Sequence, residues 1–399
     1  MLNGSLQKWA LDTFMRLASI DCTSGEEQEV SNAICKLFEN YELPYKSYGF
    51  DVAHEHFAQH GVQGQRGNMF VYIPATLGCE QLPVIGFNAH IDRVQPGKGI
   101  KPSLTADGTR IVSDGTTILA ADDLSGVSVI LTMLKALNDQ AVPHGPLQII
   151  FTVCEETKLL GARYLEPSLL RCSRIYSFDG EGPGDIVLGS CASDKITIKI
   201  TGKNAHAGVH PEQGISAPVI ASLAIANLHR QGLLGRKEVC GQHMTSANLN
   251  IVAAQKVGTN SVQAEVCIEG EARAYDEDLL QTIADTIEHV FAQSAKSVKS
   301  SDGTCGQVEF KADRGYNRFQ LSPSDDIVRS VINAMGKVNI SPVIVERVMG
   351  GMDACWLNKH VPTVVLGGGA HNYHRVDEYL DVAEFFQACE LAIQLARAE

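Results

Sequence analysis

Two adjacent glutamates, Glu155 and Glu156, follow an apolar run from Leu147 to Phe151 that Pro143-His144-Gly145-Pro146 bounds upstream. The run reads as a buried strand, so both carboxylates stand just past a strand end. Neighbouring carboxylates there repel, and each is costly to desolvate unless a cation or a donor is at hand. For an isolated pair a solvated loop is the simpler account, so the neighbours must decide. Pro83 to Asn88 is a second buried strand, ending at His90 and Asp92. Ile118-Leu119-Ala120-Ala121 leads into Asp122 and Asp123 at the start of a buried helix through Val127, Ile130, Met133, Leu134 and Leu137. Aspartates at that position also suit the helix dipole, which needs no further function. Arg174 to Phe178 gives another strand, closing at Asp179. Successive βαβ-type elements thus end in His90/Asp92, Asp122, Glu155/Glu156 and Asp179, and in open α/β sheets ligands sit beyond the carboxyl ends of the strands. Histidine plus carboxylates is a donor set for zinc or another divalent first-row metal. A histidine followed two residues on by an aspartate can be a ligand whose tautomer the carboxylate sets.

The rest of the chain must position these groups. It has 399 residues, 44% hydrophobic and 20% charged, with a formal charge of −13 and no Lys/Arg block. That length suits two domains, and the charge argues against nucleic acid or an anionic membrane as partner. Residues 1–20 mix Asn3, Lys8, Asp12 and Arg16 among apolar positions, and no later stretch has the length of a membrane span. Eleven scattered cysteines, with no C-x-x-C pair, do not form a disulfide framework. A cytoplasmic protein is expected.

In chain order, residues 5–20 carry helical spacing, and Ser24-Gly25-Glu26-Glu27 reads as a capping box ahead of a helix through Val30, Ile34, Leu37 and Phe38. Gly49 to Gly67 reads as loop, and so does Lys98 to Thr117. His54, His56 and His60 could hold a metal, but a polar surface loop is the simpler account. From Lys195 to Thr201 apolar and polar residues alternate strictly, the mark of a sheet with one wet face. Strand-like runs at 247–253, 263–274 and 307–312, with helices at 217–228 and 277–292, suggest an inserted α+β sandwich. The α/β pattern then resumes through Val343–Val348 and Pro362–Leu366 to Gly367-Gly368-Gly369-Ala370-His371-Asn372-Tyr373-His374. The expected fold class is α/β: a mixed, mostly parallel sheet flanked by helices, with that sandwich inserted.

With these motifs in place the chain resembles, over nearly its full length, the zinc peptidase and amidohydrolase superfamily that includes peptidase T, carboxypeptidase G2 and aminoacylase. The resemblance rests on HID at 90–92, ADDLSG at 121–126, CEET and LLGA within 154–162, DGEG at 179–182, AHAG at 205–208, GGMDA at 350–354 and HNYHRVDEY at 371–379. It is most similar to the peptidase T-like branch through Phe178 to Gly182 and Thr201 to His206.

The resemblance implies two zinc ions, with Co2+ or Mn2+ as alternatives. Asp122 would bridge them, His90 and Asp179 completing one site, Glu156 and His374 the other. Glu155 would be the general base and Asp92 would orient His90. His374, which precedes Glu378-Tyr379 by a short link, takes the ligand role, and His371 stays outside it. Residues 1–190 and 315–399 would form a discontinuous catalytic domain, and 191–314 a lid that pairs subunits into a homodimer. His206 would stabilise the oxyanion, while Asn260, Arg273, Gly350 and Gly351 would hold a substrate carboxylate. The alternative for Arg273 is a strand surface charge, and the functional reading is preferred. Arg93 stands where relatives usually carry Thr, and Thr157-Lys158 also departs from the common pattern, which puts substrate preference in doubt. The implied activity is an aminopeptidase acting on short peptides, a tripeptidase foremost. A deacylase of N-acyl-amino acids is the alternative, and a non-catalytic binding descendant a third reading.

Overall fold

The computed structural model describes residues 2–39, 48–239 and 243–398. The chain divides into two compact units, one of Met1–Gly189, Phe319–Val348 and Met352–Glu399, the other of Ser190–Arg318 with Met349–Gly351.

The first unit is built on an eight-stranded sheet in the order Tyr48–Phe50, Met69–Ile73, Leu147–Thr152, Ile85–His90, Arg174–Gly180, Thr363–Gly367, Asp185–Val187, Val343–Val345. Leu147–Thr152, Ile85–His90, Arg174–Gly180 and Thr363–Gly367 are successive parallel neighbours, so their carboxyl ends share one edge. Mixed topology enters at the flanks, where Met69–Ile73 runs antiparallel to Leu147–Thr152 and Asp185–Val187 antiparallel to Thr363–Gly367.

Strands covered on both faces must be apolar on both, and every residue of Leu147–Thr152 is buried. Alternation sends Ile149 and Phe151 into the main core and Ile150 into a smaller cluster with Leu165, Ile175, Leu357 and Val361. The helix Ala121–Asp139 is buried nearly all round, packed with Gly4–Ala18 and Val382–Ala396. Its burial on so many sides explains why its sequence shows little one-sided patterning.

Two readings need correction. Gly49 to Gly67 holds a short strand and a 3-10 helix, Ala53–His60, while Lys98 to Thr117 contributes Ser103–Leu104 and Arg110–Val112 to a four-stranded sheet with Ala370–His371 and Tyr379–Asp381. Strands of two or three residues are too short to show alternation.

In the second unit an antiparallel sheet runs Gly235–Val239, His243–Ala254, Glu265–Ala274, Ala192–Thr201, Gln307–Tyr316. Ile196, Ile198 and Ile200 point into a core with Ile268, Ile220, Ile287 and Phe291 from the helices Ala217–Arg230 and Glu277–Ser297. The alternation read at 195–201 is the cause: one face meets the helices, and Lys195 and Lys199 leave from the other. Among the described residues every cysteine is a free thiol, and no helix is long and apolar enough to cross a membrane.

Candidate metal centre

Where Leu147–Thr152 ends, beside the end of Ile85–His90, His90 stands opposite Thr152 and Ile91 donates its N–H to the Thr152 carbonyl at 2.9 Å. The chain then turns sharply. Cys154 takes a left-handed φ of 51°, unusual for a residue with a side chain, and the turn presents Glu155 and Glu156. Asp92 holds that turn from across the strand pair. Its carboxylate accepts the backbone N–H groups of Glu155 at 2.9 Å and Glu156 at 3.2 Å, and the Ser24 hydroxyl at 2.6 Å. Asp92 Oδ1 also lies 3.4 Å from His90 Nδ1, which is 3.1 Å from the Asp92 carbonyl. Asp92 therefore touches His90, as the resemblance implies, and in addition fastens the glutamate pair.

Asp122 lies between two imidazoles. Its Oδ1 is 3.1 Å from His90 Nε2, and its Oδ2 is 3.3 Å from His374 Nε2. His374 Nε2 is also 2.9 Å from Glu156 Oε1, while Asp179 Oδ1 is 3.8 Å and Glu155 Oε2 4.0 Å from His90 Nε2. The structure thus brings His90, Asp122, Glu155, Glu156, Asp179 and His374 to one place. Asp122 and Asp123 have non-helical dihedral angles, so the regular helix starts after them and the dipole-cap explanation does not account for Asp122. What holds Asp122 is Glu378, whose Oε1 accepts the Asp122 N–H at 3.0 Å and whose Oε2 accepts those of Leu119 at 2.6 Å and Ala120 at 2.9 Å. Leaving one such buried N–H unpaired costs about 1–3 kcal/mol, so three of them together offset part of the cost of burying the carboxylate.

Burial raises the carboxyl pKa values of Glu155 and Asp179 well above the ordinary range, His90 opposing and the neighbouring acids adding to it. Burial also acts to raise Asp122, but the imidazoles of His374 and His90 outweigh it and hold that carboxyl well below the ordinary value. His374 is pushed up to about 10, chiefly by Asp122 and Glu156. So many converging acids call for positive charge beyond what two imidazoles bring. Donor atoms of His90, Asp122 and Glu156 lie within 4.8 Å of one another, as do those of His90, Asp123 and Asp179. Imidazole and carboxylate donors at this spacing fit zinc. Asp123 is the less suitable ligand, because its Oδ2 already accepts the His90 N–H at 3.2 Å and its Oδ1 that of Gly126 at 3.1 Å.

The remaining expected residues belong to the second unit. His206 is exposed, and its Nδ1 accepts the N–H groups of Gly208 at 3.2 Å and Val209 at 3.1 Å. A ring whose Nδ1 is an acceptor carries its proton on Nε2, so His206 offers a donor outward. Asn260 lies on the adjoining segment, its carbonyl accepting the Ala207 N–H at 2.7 Å. Arg273 spends Nη1 on the Met349 carbonyl at 2.7 Å and Nη2 on Glu271 at 3.0 Å, next to Gly350, whose carbonyl accepts the Ser190 hydroxyl. A Cβ at Gly351 would come within 2.8 Å of the Tyr316 ring, so only glycine fits there.

The sequence reading gave several buried acids no place at the site: Glu27 and Asp123, read as helix-start acids, Asp353 and, in its holding role, Glu378. Asp353 accepts from Thr152 Oγ1 behind the centre, and burial pushes its pKa to about 6. Their one sequence signal was membership of the quoted motifs. His371, by contrast, pairs with Glu384 at 2.6 Å and stacks on Tyr379. In the histidine-rich segment His56 stacks on Tyr164 and His60 lies 2.7 Å from the Tyr164 hydroxyl.

Comparison with known proteins adds the family. Two solved structures match over almost the whole chain. One is the aminopeptidase PepT from Bacillus cereus (31% identical, covering 98% of each chain, TM-score 0.80). The other is a tripeptidase from Staphylococcus aureus (28% identical, covering 98% of this chain and 97% of that one, TM-score 0.84). Peptidase T of Listeria welshimeri is 27% identical over 382 residues, 84% of this chain and 87% of its own. The model of peptidase family M20/M25/M40 matches residues 86–398, from the strand that delivers His90 to the final helix. The chain belongs to that family and is a metal-dependent peptidase.

Proposed function

We propose that this protein is a di-zinc aminopeptidase that cleaves short peptides, tripeptides foremost, in the cytoplasm. What carries the reading is the carboxylate of Asp122 lying between His90 and His374, with Glu155 beside that set. His90 and Asp179 would hold one zinc, Glu156 and His374 the other, with Asp122 shared. Zinc bound there supplies positive charge that lowers the pKa of water and polarises an amide carbonyl. Glu155 takes one proton from the attacking water and returns it to the amine as the C–N bond breaks. Asp92 keeps Glu155 in reach by holding its backbone N–H. His206 Nε2–H suits a developing oxyanion, and Arg273 with Asn260, Gly350 and Gly351 suits a peptide carboxylate. The same reading takes residues 191–314 as a lid that pairs subunits into a homodimer. It is supported by likeness to an aminopeptidase and a tripeptidase at 31% and 28% identity.

A panel of tripeptides, dipeptides and N-acyl-amino acids, run with added Zn2+ or Co2+, tests it. Tripeptides should turn over fastest, a chelator should abolish turnover and Zn2+ should restore it. Hydrolysis of acyl-amino acids with none of any free-amine peptide would make the enzyme a deacylase instead.

A further inference from the structure

The segment Ser24-Gly25-Glu26-Glu27 reads in sequence as a local helix cap. Its side chains do something else. The Ser24 hydroxyl donates to Asp92, and Thr23, not a helix N–H, occupies Glu26 at 2.6 Å. Glu27 is fully buried, and one oxygen, Oε1, accepts three donors: the Gly25 N–H at 2.8 Å, the Cys154 N–H at 3.0 Å and the Cys154 thiol at 3.2 Å. Its other oxygen, Oε2, is buried with no hydrogen-bond partner among the described residues.

Cys154 is the left-handed residue of the turn that presents Glu155 and Glu156. A side chain in that conformation persists only where its surroundings over-determine it. Asp92 holds the next two N–H groups, so three consecutive backbone donors, 154 to 156, are gripped by two buried carboxylates. We infer that Glu27 is a positioning residue of the metal centre: through Cys154, 127 residues further along the chain, it sets where Glu155 and Glu156 stand. The inference rests on the proposed roles of those two glutamates.

Because one oxygen does all the accepting, the chemistry makes an uncommon demand. Glutamine can keep the Oε1 contacts and put its NH2 where Oε2 has none, whereas alanine removes the acceptor and aspartate withdraws it by one methylene. The test uses the full-length protein, with amide hydrogen exchange over residues 152–157 measured after metal has been stripped, and Zn2+ affinity measured by competition with a chromophoric chelator. Glu27→Ala and Glu27→Asp should speed exchange over 152–157 and weaken Zn2+ binding by about 10- to 100-fold, the range for residues that orient ligands. Glu27→Gln should stay within about threefold of wild type in both. Leu37→Ala, a buried deletion in the helix Gln28–Glu39 that follows Glu27, should lower thermal stability without moving either readout. Unchanged exchange over 152–157 in E27A and E27D, or E27Q behaving like E27A, overturns the inference. Faster exchange in E27A with no Zn2+ binding by wild type upholds the positioning and rejects the metal reading instead.

Discussion

The proposed chemistry draws on two regions built in opposite ways. Around Asp122 and Glu155 the ligand-bearing backbone is gripped from behind: Glu378 holds residues 119, 120 and 122, Asp92 holds 155 and 156, and Asp123 holds His90. All three holding carboxylates are buried, and their partners come from distant parts of the chain. His206 and Asn260 sit on exposed segments joined mainly by hydrogen bonds near the surface, Ala207 N–H to the Asn260 carbonyl, Val262 N–H to the Ala205 carbonyl and the Asn204 amide to the Val262 carbonyl. The first region is a rigid frame in which geometry is fixed before any ligand arrives. The second keeps its donor on an exposed loop. Groups that coordinate a cation need the former, and groups that meet a substrate work from the latter.

The sharpest way to break this contrast is at its centre. Glu155→Gln should lower kcat by about 10²- to 10⁴-fold, the usual contribution of a general base, with Zn2+ affinity near wild type by chelator competition. A matching loss of Zn2+ would make Glu155 a ligand and remove the proton shuttle. On the exposed side, His206→Ala should cost about 10²- to 10³-fold in kcat, the range for one oxyanion donor, again with metal binding intact. If kcat is unchanged there, the loop plays no part in the reaction.

The frame itself is tested next. Both oxygens of Glu378 accept N–H groups, so Glu378→Gln must turn an NH2 against a backbone donor. Zn2+ affinity and kcat/KM should both fall about 10- to 100-fold, in contrast with the tolerance expected of glutamine at position 27. Equal tolerance at both sites would show that charge, not acceptor count, is what matters. The smallest effect belongs to the outer surface of the second unit. Lys203→Ala removes an exposed pair with Asp302 at 2.8 Å and should shift stability by less than about 1 kcal/mol in chemical denaturation.

How much of this was legible depended on distance along the chain. The apolar runs 85–90, 147–152 and 174–180 declare buried strands within a few residues, and the acids at their ends declare a rim. The alternation at 195–201 likewise predicts the face that Ile196, Ile198 and Ile200 bury. The two- and three-residue strands were invisible, because periodicity needs length. Ser24 and Glu27 were misread for a different reason. A serine followed by acids satisfies the local rule for a helix cap, yet the packed chain gives both side chains partners from strand ends.

Residue types and local spacing were therefore sufficient for the class of fold, the carboxyl edge of the sheet and the donor chemistry of His90, Asp122, Glu156 and Asp179. Tertiary structure alone decided how those donors are aimed. The Leu119 N–H finds Glu378 across 259 residues and the Cys154 N–H finds Glu27 across 127, and no local pattern encodes such pairings. A buried carboxylate will take whichever backbone N–H groups the packed chain leaves within reach, because leaving either side unpaired is costly. That requirement, met only once the chain has folded, turns Glu27, Asp92 and Glu378 from ordinary acids into the frame of the proposed metal centre.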